Sequence, residues 1–132
     1  MAHRIAGNVI AMARGILVLD ENLYNLKELL EAKKIRVLKA PSNVDDSVIK
    51  EHSLSARIFV TNNSKHFIKD AVKMEYGIIA TENVKFKDPE KLSKQISRAI
   101  MDHNLWSKKD GFVVKLDETG SGEFVDLKSG TK

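Results

Sequence analysis

"GILVLDENLYNLKELLEAKKIRVLK", residues 15–39, is the stretch on which the fold turns. Its opening, GILVLD (15–20), is a continuous apolar run, the pattern of a strand buried on both faces. The run stops at Asp20-Glu21-Asn22. Leu23, Leu26, Leu29 and Leu30 then recur at helical spacing across 22–34. A short strand, IRVLK (35–39), follows at once. Strand, helix and strand in this order imply parallel pairing through a right-handed crossover. Asp20 admits two readings. Its carboxylate suits a helix start, where it accepts from free N–H groups and opposes the dipole. It also ends a strand at the carboxyl edge, where open α/β sheets place their ligand sites.

The same alternation continues downstream. DDSVIKEHSL (45–54) reads as a capped helix and RIFVT (57–61) as a third strand. NSKHFIKDAVKM (63–74) is a helix with Phe67, Ala71 and Met74 inward, and YGIIAT (76–81) is a fourth strand. In DPEKLSKQISRAIMDH (88–103), Asp88 is a cap, Pro89 takes the first helical position, and Leu92, Ile96, Ala99 and Ile100 form the stripe. GFVVKLDETGSGEFVDL (111–127) is two alternating segments around a Gly/Ser turn, a β-hairpin. KSGTK (128–132) reads as a frayed end. The expected fold is α/β: a small doubly wound parallel sheet with strands at 15–20, 35–39, 57–61 and 76–80. Helices cover both faces and a C-terminal β-hairpin closes a single domain over 1–132, with its core at 15–127.

Bulk properties narrow the function. The chain has 132 residues, 42% hydrophobic, enough for one folded domain. It has no cysteine, which excludes disulfides, zinc-thiolate sites and a cysteine nucleophile. Its apolar runs are too short to cross a bilayer, and Arg4 and Arg14 bracket the first residues poorly for a signal peptide. A cytoplasmic protein is expected. The net charge of +4 permits nucleic-acid binding. Positive runs lie at 31–39, 84–94 and 107–110, though solvated helix faces also produce such runs. Aromatic residues, at 6%, do not interleave with basic ones, which argues against a stacking platform for single strands. There is no phosphate loop, since GSG (120–122) sits in a hairpin turn. The histidines lack metal-ligand spacing, and no serine sits in a nucleophile elbow.

The polar turns carry the remaining chemistry. In a doubly wound sheet every strand-to-helix turn lies on one rim. That rim receives Asp20-Glu21-Asn22, Asp45-Asp46, Thr61-Asn62-Asn63 and Thr81-Glu82-Asn83. Oxygen donors crowded in this way suit a hard cation such as Mg²⁺ or Mn²⁺, although helix caps use the same residue types.

The segments LVLDENL (17–23), DDSVIKEHS (45–53), IFVTNNSKHF (58–67), GIIATENV (77–84) and the closing 111–127 occur in an order that resembles the PIN-like family. These are small prokaryotic relatives of PIN-domain ribonucleases. The resemblance covers 15–127 and rests on order and spacing rather than on any single motif. It implies a Mg²⁺- or Mn²⁺-dependent endoribonuclease acting on structured RNA, with tRNA a candidate. It also implies the toxin half of a toxin–antitoxin pair, with an antitoxin protein as partner. By motif position, Asp20 and Asp46 are metal ligands, with Glu21 a third and Asp45 an alternative to Asp46. Thr61 and Asn63 hold water or phosphate. Lys65, Lys85 and Lys87 steer the RNA backbone. The family's usual acids after the third strand are replaced: Thr61-Asn62-Asn63-Ser64-Lys65-His66-Phe67 contains none. Glu82 is either a compensating acid or surface decoration.

Two functions follow from this reading. One is the ribonuclease; the other is a catalytically degraded PIN-like domain that binds RNA or protein. A phosphoacceptor switch also uses acids at strand ends, but the third strand lacks the Asp it needs. GFVVKL (111–116) and Trp106 would serve either internal packing or a homodimer face.

Overall fold

In the computed structural model, which describes residues 15–54, 56–108 and 111–127, the first apolar run forms strand β1, Ile16–Leu19. The expectations for residues 1–14 and for 128–132 lie outside the described residues. The further strands are β2 Arg36–Lys39, β3 Ile58–Thr61, β4 Gly77–Ala80, β5 Phe112–Leu116 and β6 Gly122–Asp126. They form one sheet in the order β2-β1-β3-β4-β5-β6. The first five strands are parallel, and β6 runs antiparallel to β5. The chain is thus an α/β protein with a mostly parallel sheet. The segment from 111, expected as a hairpin beyond four parallel strands, also extends the parallel sheet. Its first strand is the fifth parallel member, with Gly77 opposite Phe112 and Ala80 opposite Lys115.

Side-chain parity explains why both faces are covered. Successive residues of a strand point to opposite sides. Leu17 and Leu19 of β1, Ile58 and Val60 of β3, Ile79 of β4 and Val114 of β5 share one buried cluster. Val18, Phe59, Ile78 and Val113 from the same strands lie in a second. Each face needs its own cover. The first is covered by α1, Lys27–Glu31, through Leu30, and by α4, Pro89–Asp102, through Ile96, Ala99 and Ile100. The second is covered by α2, Asp46–Ile49, through Ile49, and by α3, Lys65–Met74, through Phe67 and Ala71. GFVVKL packs inside: Phe112, Val113, Val114 and Leu116 are buried, and Trp106 is half-buried against the first cluster.

Two helices differ from their sequence expectation. The segment expected as one helix over 22–34 begins as a 3₁₀ helix, Glu21–Leu26, before the short α1. Asn22, Tyr24 and Asn25 are weak helix formers. Tyr24 also donates its hydroxyl to the Ala40 carbonyl beyond β2, tying the 3₁₀ segment across the edge of the sheet. α2 widens after one turn into a π-helical stretch, Lys50–Leu54. There Lys50, only 8% exposed, turns inward; its ammonium lies 2.8 Å from Asp70 and 5.5 Å from the centre of the Phe67 ring. α4 matches its expected start: Asp88 accepts from the Glu90 N–H at 3.0 Å, and Pro89 follows the cap. The turn into β6 is held by Asp117, whose Oδ1 accepts from the Thr119 and Ser121 N–H groups and the Thr119 hydroxyl. Gly120 there has φ +92°, a conformation that L side chains rarely adopt.

Two expected outcomes follow from this packing. A Cβ on Gly77 would lie 2.1 Å from Phe112 Cζ, so Gly77→Ala should cost about 1–3 kcal/mol by overpacking. Phe112→Leu in the same chain should recover part of that loss, as read by urea unfolding. The second concerns acid. The hydrogen bond from Lys50 holds the Asp70 carboxyl below its ordinary 3.8; desolvation opposes this, and the charges of Lys50, Lys69 and Lys73 reinforce it. The folded chain therefore releases the Asp70 proton more readily than the unfolded chain does. That stability is present above pH 3.8 and is lost as pH falls through the lower folded value. Asp70→Asn should lower stability at neutral pH and flatten the acid limb of a stability–pH curve. An unchanged acid limb would refute the linkage.

Candidate functional site

Chain direction fixes the crevice. β1 leads to β2 on one side, while β3 leads to β4 on the other, so the carboxyl ends of the adjacent strands β1 and β3 flank the switch point. Asp20 and Thr61 stand there. The Asp20 N–H extends the ladder to the Val60 carbonyl at 3.1 Å. Its side chain has two roles. Oδ1 accepts from the Glu21 N–H at 2.8 Å, capping the 3₁₀ segment, and Oδ2 accepts the Thr61 hydroxyl proton at 2.6 Å. Thr61 is fully buried, and its oxygen accepts from the Asn63 N–H at 3.0 Å. Asp20, Thr61 and Asn63 thus meet, but Asn63 joins through its main chain, and the residue is otherwise exposed. The two sequence readings of Asp20 are not exclusive, since one oxygen caps and the other faces the crevice.

Glu21 meets Asp20 through its main-chain N–H, and among the described residues no hydrogen bond links Asp45 or Asp46 to the pair. Glu21 opens the segment that covers the first face, whereas Asp46 opens α2 on the second. The apolar residues of these two segments pack on opposite faces of the sheet. Asp45 precedes α2 without making a side-chain cap bond. Among the described residues, no group of three or more His, Cys, Asp or Glu side chains is placed to hold a metal ion. The set Asp20, Glu21 and Asp46 is therefore not a preformed cation site. Asp20 by itself is a single carboxylate, fewer anionic ligands than a resident Mg²⁺ or Mn²⁺ usually takes, and each of its oxygens accepts one hydrogen bond.

Glu82 is more than decoration. Its carboxylate accepts the hydroxyl proton of Ser64, which is 3% exposed, and so links the loops after β3 and β4. Beside this contact is a groove of about 430 Å³ between the start of α3, the end of β4 and β5. It is lined by Ser64, Lys65, Ile68, Lys69, Ala80, Glu82, Asn83 and Lys115. Lys65, Lys85 and Lys87 are all exposed, and of these three Lys65 alone lines the groove. The main-chain N–H of Lys85 donates to the Glu118 carbonyl at 3.2 Å, placing that loop beside the hairpin turn. Sequence reasoning missed Lys69 and Lys115. The signal for Lys115 is a charge interrupting the apolar run FVVKL; Lys69 has none.

Comparison with protein-family models, curated proteins and solved structures returned no match. The geometry of the rim is therefore what bears on activity.

Thr61 is the residue that assembles the crevice. Thr61→Val keeps its shape but leaves Asp20 Oδ2 and the Asn63 N–H without a partner, at a cost of about 1–3 kcal/mol. Thr61→Ser should cost less. Denaturant unfolding measures both, and hydrogen exchange of the Asn63 amide should accelerate in the valine variant alone.

Proposed function

We propose that this chain is a PIN-like domain that binds RNA through the sugar–phosphate backbone at the carboxyl rim of its sheet and does not cut it. One observation carries this reading: the carboxylates of Asp20 and Glu82 accept hydrogen bonds from within the protein, while Lys65, which shares a groove with Glu82, and Lys85 and Lys87 on the loop after β4 are exposed. Asp20 is engaged by Thr61 and by the Glu21 N–H, and Glu82 by Ser64. Lys65, Lys85 and Lys87 are exposed, and among the described residues none of them makes a salt bridge. Open lysines beside a sheet edge attract phosphates by displacing condensed counterions, and they need no metal.

The ribonuclease of a toxin–antitoxin pair is the second reading. It is favoured by the meeting of Asp20, Thr61 and Asn63 at the switch point. It requires more anionic ligands than one hydrogen-bonded carboxylate supplies, so no hydrolytic step follows from this arrangement.

The experiment is a titration of labelled RNA, a tRNA and a single-stranded oligonucleotide in parallel, followed by fluorescence anisotropy across salt concentrations. Binding should weaken steeply with salt. Replacing Lys65, Lys85 and Lys87 with Ala should flatten the slope of log K against log salt by about 0.7–0.9 for each phosphate that is no longer neutralised. The RNA should remain intact in Mg²⁺ and Mn²⁺. Cleavage by the parent chain that Asp20→Asn abolishes would establish the nuclease instead.

A further inference from the structure

We propose that the groove between α3, β4 and β5 is an oxyanion site for a phosphate group, and that Glu82 occupies it as an internal anion until phosphate displaces it. This deepens the RNA reading and depends on it only for the source of the phosphate. The groove, about 430 Å³, gathers Lys65 and Lys69 from α3 and Lys115 from β5, two parts of the chain far apart in sequence. All three lysines are exposed, and among the described residues none makes a salt bridge. Three like charges on one groove raise its positive potential, and a shared anion is attracted to it.

Among the described residues, the only carboxylate lining the groove is Glu82. It is held by the Ser64 hydroxyl rather than by a lysine. Two other acids lie close by. Asp70 is committed to Lys50 and also feels the charge of Lys69. Glu123 stands opposite Lys115 in the β5–β6 register without a salt bridge to it. Within the groove itself three positive charges face one negative charge. A phosphate carries at least the charge of Glu82 and offers more acceptor oxygens, so it can replace Glu82 at Ser64 and engage the lysines together. Asn83, also on the lining, adds an amide donor.

The test uses the whole chain, labelled for amide and lysine NMR, with inorganic pyrophosphate as probe and a single-stranded oligoribonucleotide in a second arm. Pyrophosphate should shift the resonances of Ser64, Lys65, Lys69, Asn83 and Lys115 in one saturable process. Lys69→Ala with Lys115→Ala should weaken that process about tenfold or more. Glu82→Gln keeps an acceptor for Ser64 but removes the competing charge, and should tighten pyrophosphate binding about threefold or more at low salt. The three substituted positions are exposed, and a native amide spectrum confirms the fold of each variant. The site is overturned if pyrophosphate shifts resonances elsewhere or none, if the double lysine variant binds as the parent does, or if Glu82→Gln leaves affinity unchanged. Pyrophosphate binding in the groove without RNA binding would keep the site, assign it to a free phosphate and remove the RNA reading. RNA binding that ignores the groove lysines would keep the RNA reading and remove the site.

Discussion

The structure depends on strands that bury both of their faces. Leu17, Val18 and Leu19 of β1 are each at most 1% exposed, and β3 and β4 are buried throughout. Four-residue strands have too little backbone pairing to stand alone. Their stability comes from apolar side chains packed above and below, each burial contributing about 1.5–3 kcal/mol. Because both faces need cover, the first and last crossovers, with α1 and α4, cover one side, and the middle two, with α2 and α3, cover the other. The close approach of Phe112 to Gly77 follows from the same tight packing, since a ring laid across a neighbouring strand needs a residue without a side chain there.

That winding also makes the rim. Parallel strands deliver their following turns to a single edge, and the reversal between β1 and β3 opens a crevice in it. A buried hydroxyl organises the crevice. Thr61 donates to Asp20 and accepts from the Asn63 N–H, so the ends of two strands and the loop toward α3 are held by one side chain. Ser64 and Glu82 repeat the arrangement one strand further along. Hydroxyl–carboxylate pairs of this kind satisfy polar groups that the apolar sheet pulls out of water.

The electrostatic consequence is a division of labour among the charges. Lys50, the one buried lysine among the described residues, is paired with Asp70 and serves packing between α2 and α3. Lys65, Lys69 and Lys115 at the rim remain in water, and among the described residues they take no part in a salt bridge. A protein with a modest net charge can in this way present a locally positive edge.

From the sequence alone, periodicity determined the element types. The apolar runs became parallel strands, Leu23, Leu26, Leu30, Ile96 and Ile100 turned inward while Leu29 stayed half-buried outside the core, and Asp88 and Pro89 opened α4. Those features depend on neighbours a few residues apart, which a linear reading sees. The departures were also local but weaker in signal: 3₁₀ and π turns replaced regular helix where Tyr24 and Lys50 were drawn to partners outside their own segments. Sequence likewise suggested that Asp20, Thr61 and Asn63 share a rim, since all three follow strands. Only the tertiary structure decided how the rim is wired. Asp20 and Thr61 are 41 residues apart and Ser64 and Glu82 are 18 apart, and their bonds exist because the strand order makes β1, β3 and β4 neighbours. The same order put the segments opened by Glu21 and Asp46 over opposite faces and brought Lys69 and Lys115 to one groove. Which polar residues meet is set by the direction of each crossover, a property of the packed sheet that no window of sequence contains.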